Sequence, residues 1–276
     1  RQTITIGHSP DADDAFMFYA LARERFPTGN LKFSHVLQDI ETLNQRALNA
    51  ELDLTALSVY AYGFVADQYV LLSQGASVGE KYGPVVVANR RIAREKLGKY
   101  RIAVPGEKTT AFLVLRLFLG DFEYKVVPFD RIFEAVKKGD ADAGLVIHEG
   151  QLTYSEQGFK KVMDLGEWWY QETGLPLPLG VNGIRRNLGV DLVREISSYL
   201  KKSIEYAMDH REEALEYALS FGRDLESAKA DRFVAMYVND FTLRMDANCR
   251  NAIQVLLDRA YQEGLLPQAV SAEFFE

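Results

Sequence analysis

Apolar and polar residues alternate from Thr3 to Gly7, the period of a strand with one buried face. A turn follows, His8-Ser-Pro-Asp-Ala-Asp-Asp14, and then an apolar stretch that predicts a helix over 15–25. The pattern repeats as a strand over 32–38, a helix over 40–50 and a strand over 53–59, then a helix over 60–67 and a strand over 69–73. In the second helix Leu43, Ala47 and Leu48 share one face. This β-α-β-α-β rhythm, with crossovers of ordinary length, predicts a mostly parallel sheet. Residues 83–89 are strand-like and a basic segment, 90–99, follows, so a crossover between lobes is expected near Ala88.

The rhythm then restarts. Strands are expected over 101–104, 124–127, 143–147 and 162–165, with helices over 111–119, 131–138 and 150–158 between them. The run Gly174-Leu-Pro-Leu-Pro-Leu-Gly180 is poorly suited to a central strand or a helix, because proline lacks the N–H donor. It reads as an extended return crossover, with 181–184 rejoining the first sheet. From Leu188 onward the apolar spacing is helical only, as in Leu192, Ile196, Leu200, Ile204 and Ala207. Two α/β lobes follow from this order. Residues 1–88 and 178–276 form the larger lobe with its helical tail, and 89–177 form a smaller inserted lobe. Two crossovers make a cleft faced by strand ends and helix N-termini, where α/β sheets bind ligands.

Composition narrows the function. Apolar residues make up 47% and charged residues 26%, with a net charge of −7. That balance argues against a nucleic-acid face or a basic membrane surface. A single cysteine, Cys249, permits neither an internal disulfide nor a thiolate metal cluster. No apolar run reaches the ~20 residues of a bilayer span, and no signal peptide is visible. The expectation is a cytoplasmic monomer or homodimer acting on a small molecule, without nucleic acid, membrane, metal or cofactor.

Candidate chemistry gathers at the cleft. The short apolar strand 143–147 delivers His148 and Glu149 to its carboxyl end. A histidine there can be neutral near pH 7 and accept a proton. Thr55, Ala56, Leu57 and Ser58 end a first-lobe strand, and Thr109 and Thr110 precede a second-lobe helix. Hydroxyls beside helix-start N–H groups suit a carboxylate, and they equally suit plain capping. The aspartates after His8 can cap a helix, touch substrate or hold a metal; Ser9 and Asp14 are the expected pocket contacts. His8 reads more simply as a strand-end histidine with satisfied hydrogen bonds. Trp168 and Trp169 could stack on an aromatic ligand or pack a crossover. No nucleophile elbow, Walker loop, dinucleotide fingerprint or HExxH motif is present.

Six pieces in order resemble the 1,4-dihydroxy-6-naphthoate synthase family of the futalosine route to menaquinone. They are His8-Ser-Pro-Asp-Ala-Asp-Asp-Ala-Phe-Met-Phe18, Asp39-Ile-Glu-Thr-Leu-Asn44, Gly79-Glu-Lys-Tyr-Gly-Pro84, Val104-Pro-Gly-Glu-Lys-Thr-Thr-Ala111, Ala143-Gly-Leu-Val-Ile-His-Glu-Gly150 and Gly174-Leu-Pro-Leu-Pro-Leu-Gly180. The resemblance implies a two-lobed α/β fold of the periplasmic-binding-protein type II kind, with two mixed sheets flanked by helices. It places His148 on the family's general base, and Thr55–Ser58 and Thr109-Thr110 on its substrate loops, with Asn44 inside a shared motif. Lys108 stands where histidine is common. The implied reaction is a lyase step that turns cyclic dehypoxanthine futalosine into 1,4-dihydroxy-6-naphthoate without a cofactor. The alternatives are the chorismate dehydratase of the same route, or a non-catalytic solute-binding protein.

Overall fold

A computed structural model describes residues 1–221 and 226–276. The chain opens with β1 (Gln2–His8), α1 (Ala12–Ala22), β2 (Leu31–Leu37), α2 (Ile40–Leu48), β3 (Leu54–Ser58), α3 (Val59–Val65), β4 (Tyr69–Leu72) and β5 (Ser77–Gly79). It continues with β6 (Val85–Ala88), β7 (Ile102–Val104), α4 (Thr110–Leu119), β8 (Tyr124–Val126), α5 (Ile132–Lys138), β9 (Ala143–Val146), α6 (Gly150–Thr153), β10 (Lys160–Asp164) and α7 (Leu165–Thr173). It closes with β11 (Leu177–Arg185), α8 (Val190–Asp209), α9 (Arg211–Leu219), α10 (Ser227–Tyr237), α11 (Asp240–Leu243), α12 (Ala247–Gln262) and β12 (Phe274–Phe275).

The strands make two mixed sheets. The first runs β12-β4-β11-β3-β1-β2 with β5 paired to β11, and the second runs β10-β6-β9-β7-β8. β3 lies between β1 and β11, so both its edges are paired, and all five residues, Leu54–Ser58, are buried. Helix starts carry their own donors' partners. Asp39 accepts from Thr42 N–H at the head of α2, and Asp164 accepts from Gly166 and Glu167 N–H at the head of α7. Gly139 ends α5 in the left-handed region, φ 79°, which a side chain would disfavour. Every residue of α1 from Ala12 to Leu21 is buried, because α8, α9 and α10 cover it on the side away from the sheet. α8 presents Val193, Ile196, Leu200, Ile204 and Ala207 as the buried stripe of an amphipathic helix.

Five elements depart from the sequence pattern. β6 belongs to the second sheet, pairing with β9 and β10, so the outgoing crossover falls at 80–84 and not near Ala88. A hydrophobic strand of four residues suits either sheet, and only its pairing decides. Pro178 lies inside β11, in a strand between β4 and β3. It is tolerated because β3 pairs with β11 only from Gly180 onward, leaving Pro178 beside β5 alone at a register shift. Trp168, Trp169 and Tyr170 sit within helix α7. Finally, the tail is not wholly helical: β12 adds to the edge of the first sheet, parallel to β4. α1 also begins earlier than the apolar run suggests, placing Asp13 and Asp14 in its first turn.

The core is continuous between lobes. One buried cluster joins Leu57, Tyr62 and Leu257 of the first lobe to Val86, Leu113, Leu145 and Trp169 of the second. No helix among the described residues is long and apolar enough to cross a membrane.

His8 proves to be the strand-end histidine of the simpler reading. It is fully buried, stacked on Phe18 with ring centroids 4.6 Å apart. Ser9 O, 3.0 Å away, only accepts, so His8 Nδ1 carries the proton. Nε2 then accepts from His35 Nδ1 at 3.2 Å, and His35 Nε2 is left as a buried lone pair without a partner among the described residues. Burial, with His35 beside it, lowers the His8 pKa to about 3; burial lowers that of His35 to about 4. The unfolded chain takes up protons near pH 6.5, whereas the folded one waits until about pH 4 at His35. Stability is therefore fully present above pH 6.5 and is lost as pH falls toward 4. The stability advantage of wild type over His35→Asn is expected to shrink by on the order of 2 kcal/mol from pH 7 to pH 4 in urea titrations. A constant difference across that range would contradict this.

Candidate active site

A cavity of about 680 Å³, counting the space at its mouth, lies between the lobes. From the first lobe it is lined by Ser9, Asp11, Asp13 and Asp14 between β1 and α1, and by Ala56, Leu57 and Ser58 at the carboxyl end of β3. The second lobe supplies Thr109 and Thr110 at the start of α4, and Ile147 just after β9. The crossing strand β11 adds Leu179 and Gly180, and helix α10 adds Phe233 and Tyr237. The carboxyl ends of β1, β3 and β9 thus meet at the N-terminus of α4, as the alternation of strands and helices requires.

The hydroxyl groups divide by role. Ser58 Oγ accepts from Asn44 Nδ2 at 3.0 Å, while Asn44 Oδ1 takes the Ser58 N–H at 2.9 Å. That clamp occupies an Oγ lone pair and leaves the hydroxyl proton to donate to a ligand. Asn44, fully buried, also reaches Lys108 O at 3.4 Å, so it positions Ser58 and ties it to the opposite loop. Thr109 is the N-cap of α4: its Oγ1 accepts from Phe112 N–H at 3.1 Å and donates to Gly106 O at 3.0 Å. Thr110 Oγ1 donates to Leu179 O at 2.7 Å and accepts from Tyr60 N–H at 3.3 Å, bridging the lobes. Thr55 does not line the cavity. It is fully buried with Oγ1 donating to Ala56 O at 3.0 Å, because strand alternation turns it away from the face that carries Ser58. Lys108 turns its ammonium onto the Phe64 ring, 4.3 Å from the centroid.

The aspartates do not cap α1 as the sequence suggested. Asp11 occupies the N-cap position without a side-chain cap bond, and Asp14 Oδ2 accepts from Ser9 N–H at 2.8 Å. Glu149 performs the capping from the other lobe: its Oε1 accepts from Ala12 N–H at 2.8 Å. A carboxylate at this N-terminus suits the helix dipole. Next to it, His148 has Nδ1 accepting from Gly150 N–H at 2.9 Å and Nε2 3.1 Å from Phe129 O. A carbonyl oxygen only accepts, so the proton sits on Nε2. Phe129 and Phe133 meet the imidazole edge-on, at 5.4 and 6.2 Å between centroids. His148 is not itself among the residues that line the cavity; its chain neighbour Ile147 is.

Asp13, Asp14 and Tyr237 complete the polar wall. Asp13 Oδ2 accepts from Ser77 Oγ–H at 3.1 Å, and Tyr237 OH donates to Gln151 Oε1 at 2.7 Å. Burial, then the neighbouring Asp14, Asp11 and Glu149 carboxyls, push the Asp13 pKa well above the usual range. Burial raises Asp14 to about 6, opposed by the Ser9 N–H. Among the described residues no group of three His, Cys, Asp or Glu side chains converges to hold a metal ion. Ser77, Phe233 and Tyr237 went unseen in the sequence, where they read as loop and helical core. Trp168 packs edge-to-face on Phe118 at 5.4 Å, and Trp169 is fully buried, so neither lines the cavity.

Two lobes, two mixed sheets and a ligand-sized cleft define the periplasmic-binding-protein fold. The alkanesulfonate-binding protein SsuA of Xanthomonas axonopodis pv. citri superimposes with a TM-score of 0.73, covering 99% of this chain and 96% of its own at 16% identity. At that identity the likeness shows the fold alone. A family model described as menaquinone biosynthesis matches residues 4–262. The 1,4-dihydroxy-6-naphthoate synthase of Thermus thermophilus is 40% identical over 96% of each chain, and that of Streptomyces coelicolor is 37% identical over 96% of this chain and 95% of its own. A solved Archaeoglobus fulgidus protein is 49% identical with a TM-score of 0.91, over 95% of this chain and 98% of that one. The chain belongs to the menaquinone-biosynthesis family of 1,4-dihydroxy-6-naphthoate synthases, a family of enzymes.

Proposed function

We propose that this chain is the lyase that releases 1,4-dihydroxy-6-naphthoate from cyclic dehypoxanthine futalosine, with His148 as general base. The observation that carries the reading is the pairing of two walls in one cavity. Ser58 offers a hydroxyl proton facing the N-terminus of α4, a combination suited to a carboxylate. Leu57, Ile147, Leu179 and Phe233 offer apolar surface suited to a flat bicyclic ring. Under this reading neutral His148 takes a C–H proton through Nδ1, which exchanges its bond to Gly150 N–H for the substrate. The sugar portion departs, and aromatisation of the ring drives the step. Elimination with aromatisation transfers no electrons to an acceptor, so the chemistry calls for no redox cofactor. The reading places the protein in the cytoplasm.

Incubating the purified protein with cyclic dehypoxanthine futalosine and following naphthoate by chromatography tests this. Catalytic appearance of 1,4-dihydroxy-6-naphthoate is the expected result. Turnover of chorismate instead would point to the dehydratase of the same route, and tight binding with the compound left intact would make the protein a solute binder.

A further inference from the structure

The turn that carries His148 belongs to the second lobe, yet the residues after His148 are held by the first. Glu149 is buried, and its Oε1 accepts from Ala12 N–H at 2.8 Å. Ala12 lies between Asp11 and Asp13, both of which line the cavity. Its N–H is one of the donors that a helix leaves unpaired in its first turn. Asp11, at the N-cap, makes no side-chain cap bond, so this donor is met from the other lobe. Gln151 is buried too, and its Oε1 accepts the Tyr237 hydroxyl at 2.7 Å. Tyr237 belongs to α10 of the first lobe and stands on the cavity wall. The segment 149–151 is therefore docked on two first-lobe elements, α1 and α10.

The turn itself is tightly bound. His148 Nδ1 accepts the Gly150 N–H at 2.9 Å, and His148 O accepts the Gln151 N–H at 2.9 Å. A Cβ added at Gly150 would come within 2.7 Å of His148 Cε1 and 2.8 Å of the Phe133 ring, so the imidazole packs directly against the backbone of the turn. Whatever shifts Glu149 or Gln151 shifts the imidazole with it.

We infer that Glu149 is a positioning residue for the reaction: its bond to Ala12 at the head of α1 fixes the His148 imidazole against the cavity. The inference rests on the lyase reading, with His148 as the base. Glu149 transfers no proton itself. Gln151 is the second fastening, through Tyr237. Of the two, Glu149 carries more, because a carboxylate accepting from a helix N-terminus makes the stronger, charge-assisted bond. Displacing a reacting group by about 1 Å can cost on the order of 10² in rate, so a fastening remote from the bond being broken still governs kcat.

The test compares Glu149→Ala with Glu149→Gln, each in wild type and in the His148→Gln background, with cyclic dehypoxanthine futalosine as substrate. Glu149→Ala is expected to lower kcat by about 10–10² and to leave KM within about threefold, since Ser58 and the head of α4 still hold the ligand. Glu149→Gln keeps an oxygen that accepts from Ala12 N–H, and should return kcat to within about fivefold of wild type. In the His148→Gln background, where no base is left to place, Glu149→Ala should cost less than about twofold. Calorimetric titration with 1,4-dihydroxy-6-naphthoate counts the folded sites, so that kcat is expressed per site. An equal loss in both backgrounds is what a merely structural role gives, and would overturn the positioning role. Glu149→Ala within about threefold of wild-type kcat, or Glu149→Gln no more active than Glu149→Ala, would also overturn it and leave the lyase reading intact. Wild-type protein that leaves the substrate unchanged would overturn the lyase reading, and the positioning role with it.

Discussion

His148→Gln is expected to lower the turnover of cyclic dehypoxanthine futalosine by about 10²–10⁴, the usual worth of a positioned general base. The substitution is chosen for its geometry. In wild type, Nδ1 accepts the Gly150 N–H at 2.9 Å and Nε2 faces the Phe129 carbonyl at 3.1 Å. A glutamine amide has one acceptor and one donor, so it can serve both partners and preserve the turn that leads into α6. What it lacks is a basic nitrogen. The loss should therefore appear in kcat, with KM and melting temperature close to wild type. The acid limb of the pH profile should go with it. Near-full turnover by His148→Gln would remove His148 from the mechanism.

Trp169→Ala is expected to cost the most in stability, about 3–5 kcal/mol for truncating a fully buried tryptophan. Trp169 is 0% exposed on α7, its Nε1 donates to Pro176 O at 3.0 Å, and the Arg259 guanidinium lies over its ring at 5.3 Å. Truncation opens a void in the cluster shared by both lobes and strips the Pro176 carbonyl of its donor, a further penalty of about 1–3 kcal/mol if the carbonyl stays dry. For a chain of this size the melting temperature should fall by roughly 10 °C or more. Trp169→Phe should fall in between, since it keeps ring volume and loses the hydrogen bond. A thermal scan in which Trp169→Ala melts within about 2 °C of wild type would show that the site collapses around the gap or that Trp169 carries little of the packing.

The hydrophobic rhythm made most of this architecture legible, because an α/β chain must alternate buried strands with amphipathic helices. Ser58, Thr109 and Thr110 could be found as hydroxyls at strand-to-helix junctions, and all three line the cavity. Thr55 falls with Ser58 only when the segment Thr55–Ser58 is taken as a unit. Alternation along β3 separates them. The capping of α1 escapes the sequence for a different reason. Local pattern pointed to the aspartates beside the helix, yet the partner, Glu149, lies 137 positions away in the other lobe. No local signal carries such a bond. Phe233 and Tyr237 belong to a helix whose spacing fits ordinary core, so their place on the cavity wall follows only from how α10 docks. β5 and β12, at three and two residues, are too short to register as periodic at all.

β5 has a consequence of its own. It pairs antiparallel with the first residues of β11, Leu177 opposite Gly79 and Pro178 opposite Val78, where the chain leaves one lobe and returns from the other. The two passages are thus neighbouring rails of one ribbon. A two-stranded ribbon flexes readily out of its plane but resists stretching and sideways shear, because those motions break its cross-links. That ribbon and the bond from Ala12 N–H to Glu149 are two separate points at which the lobes are tied to each other.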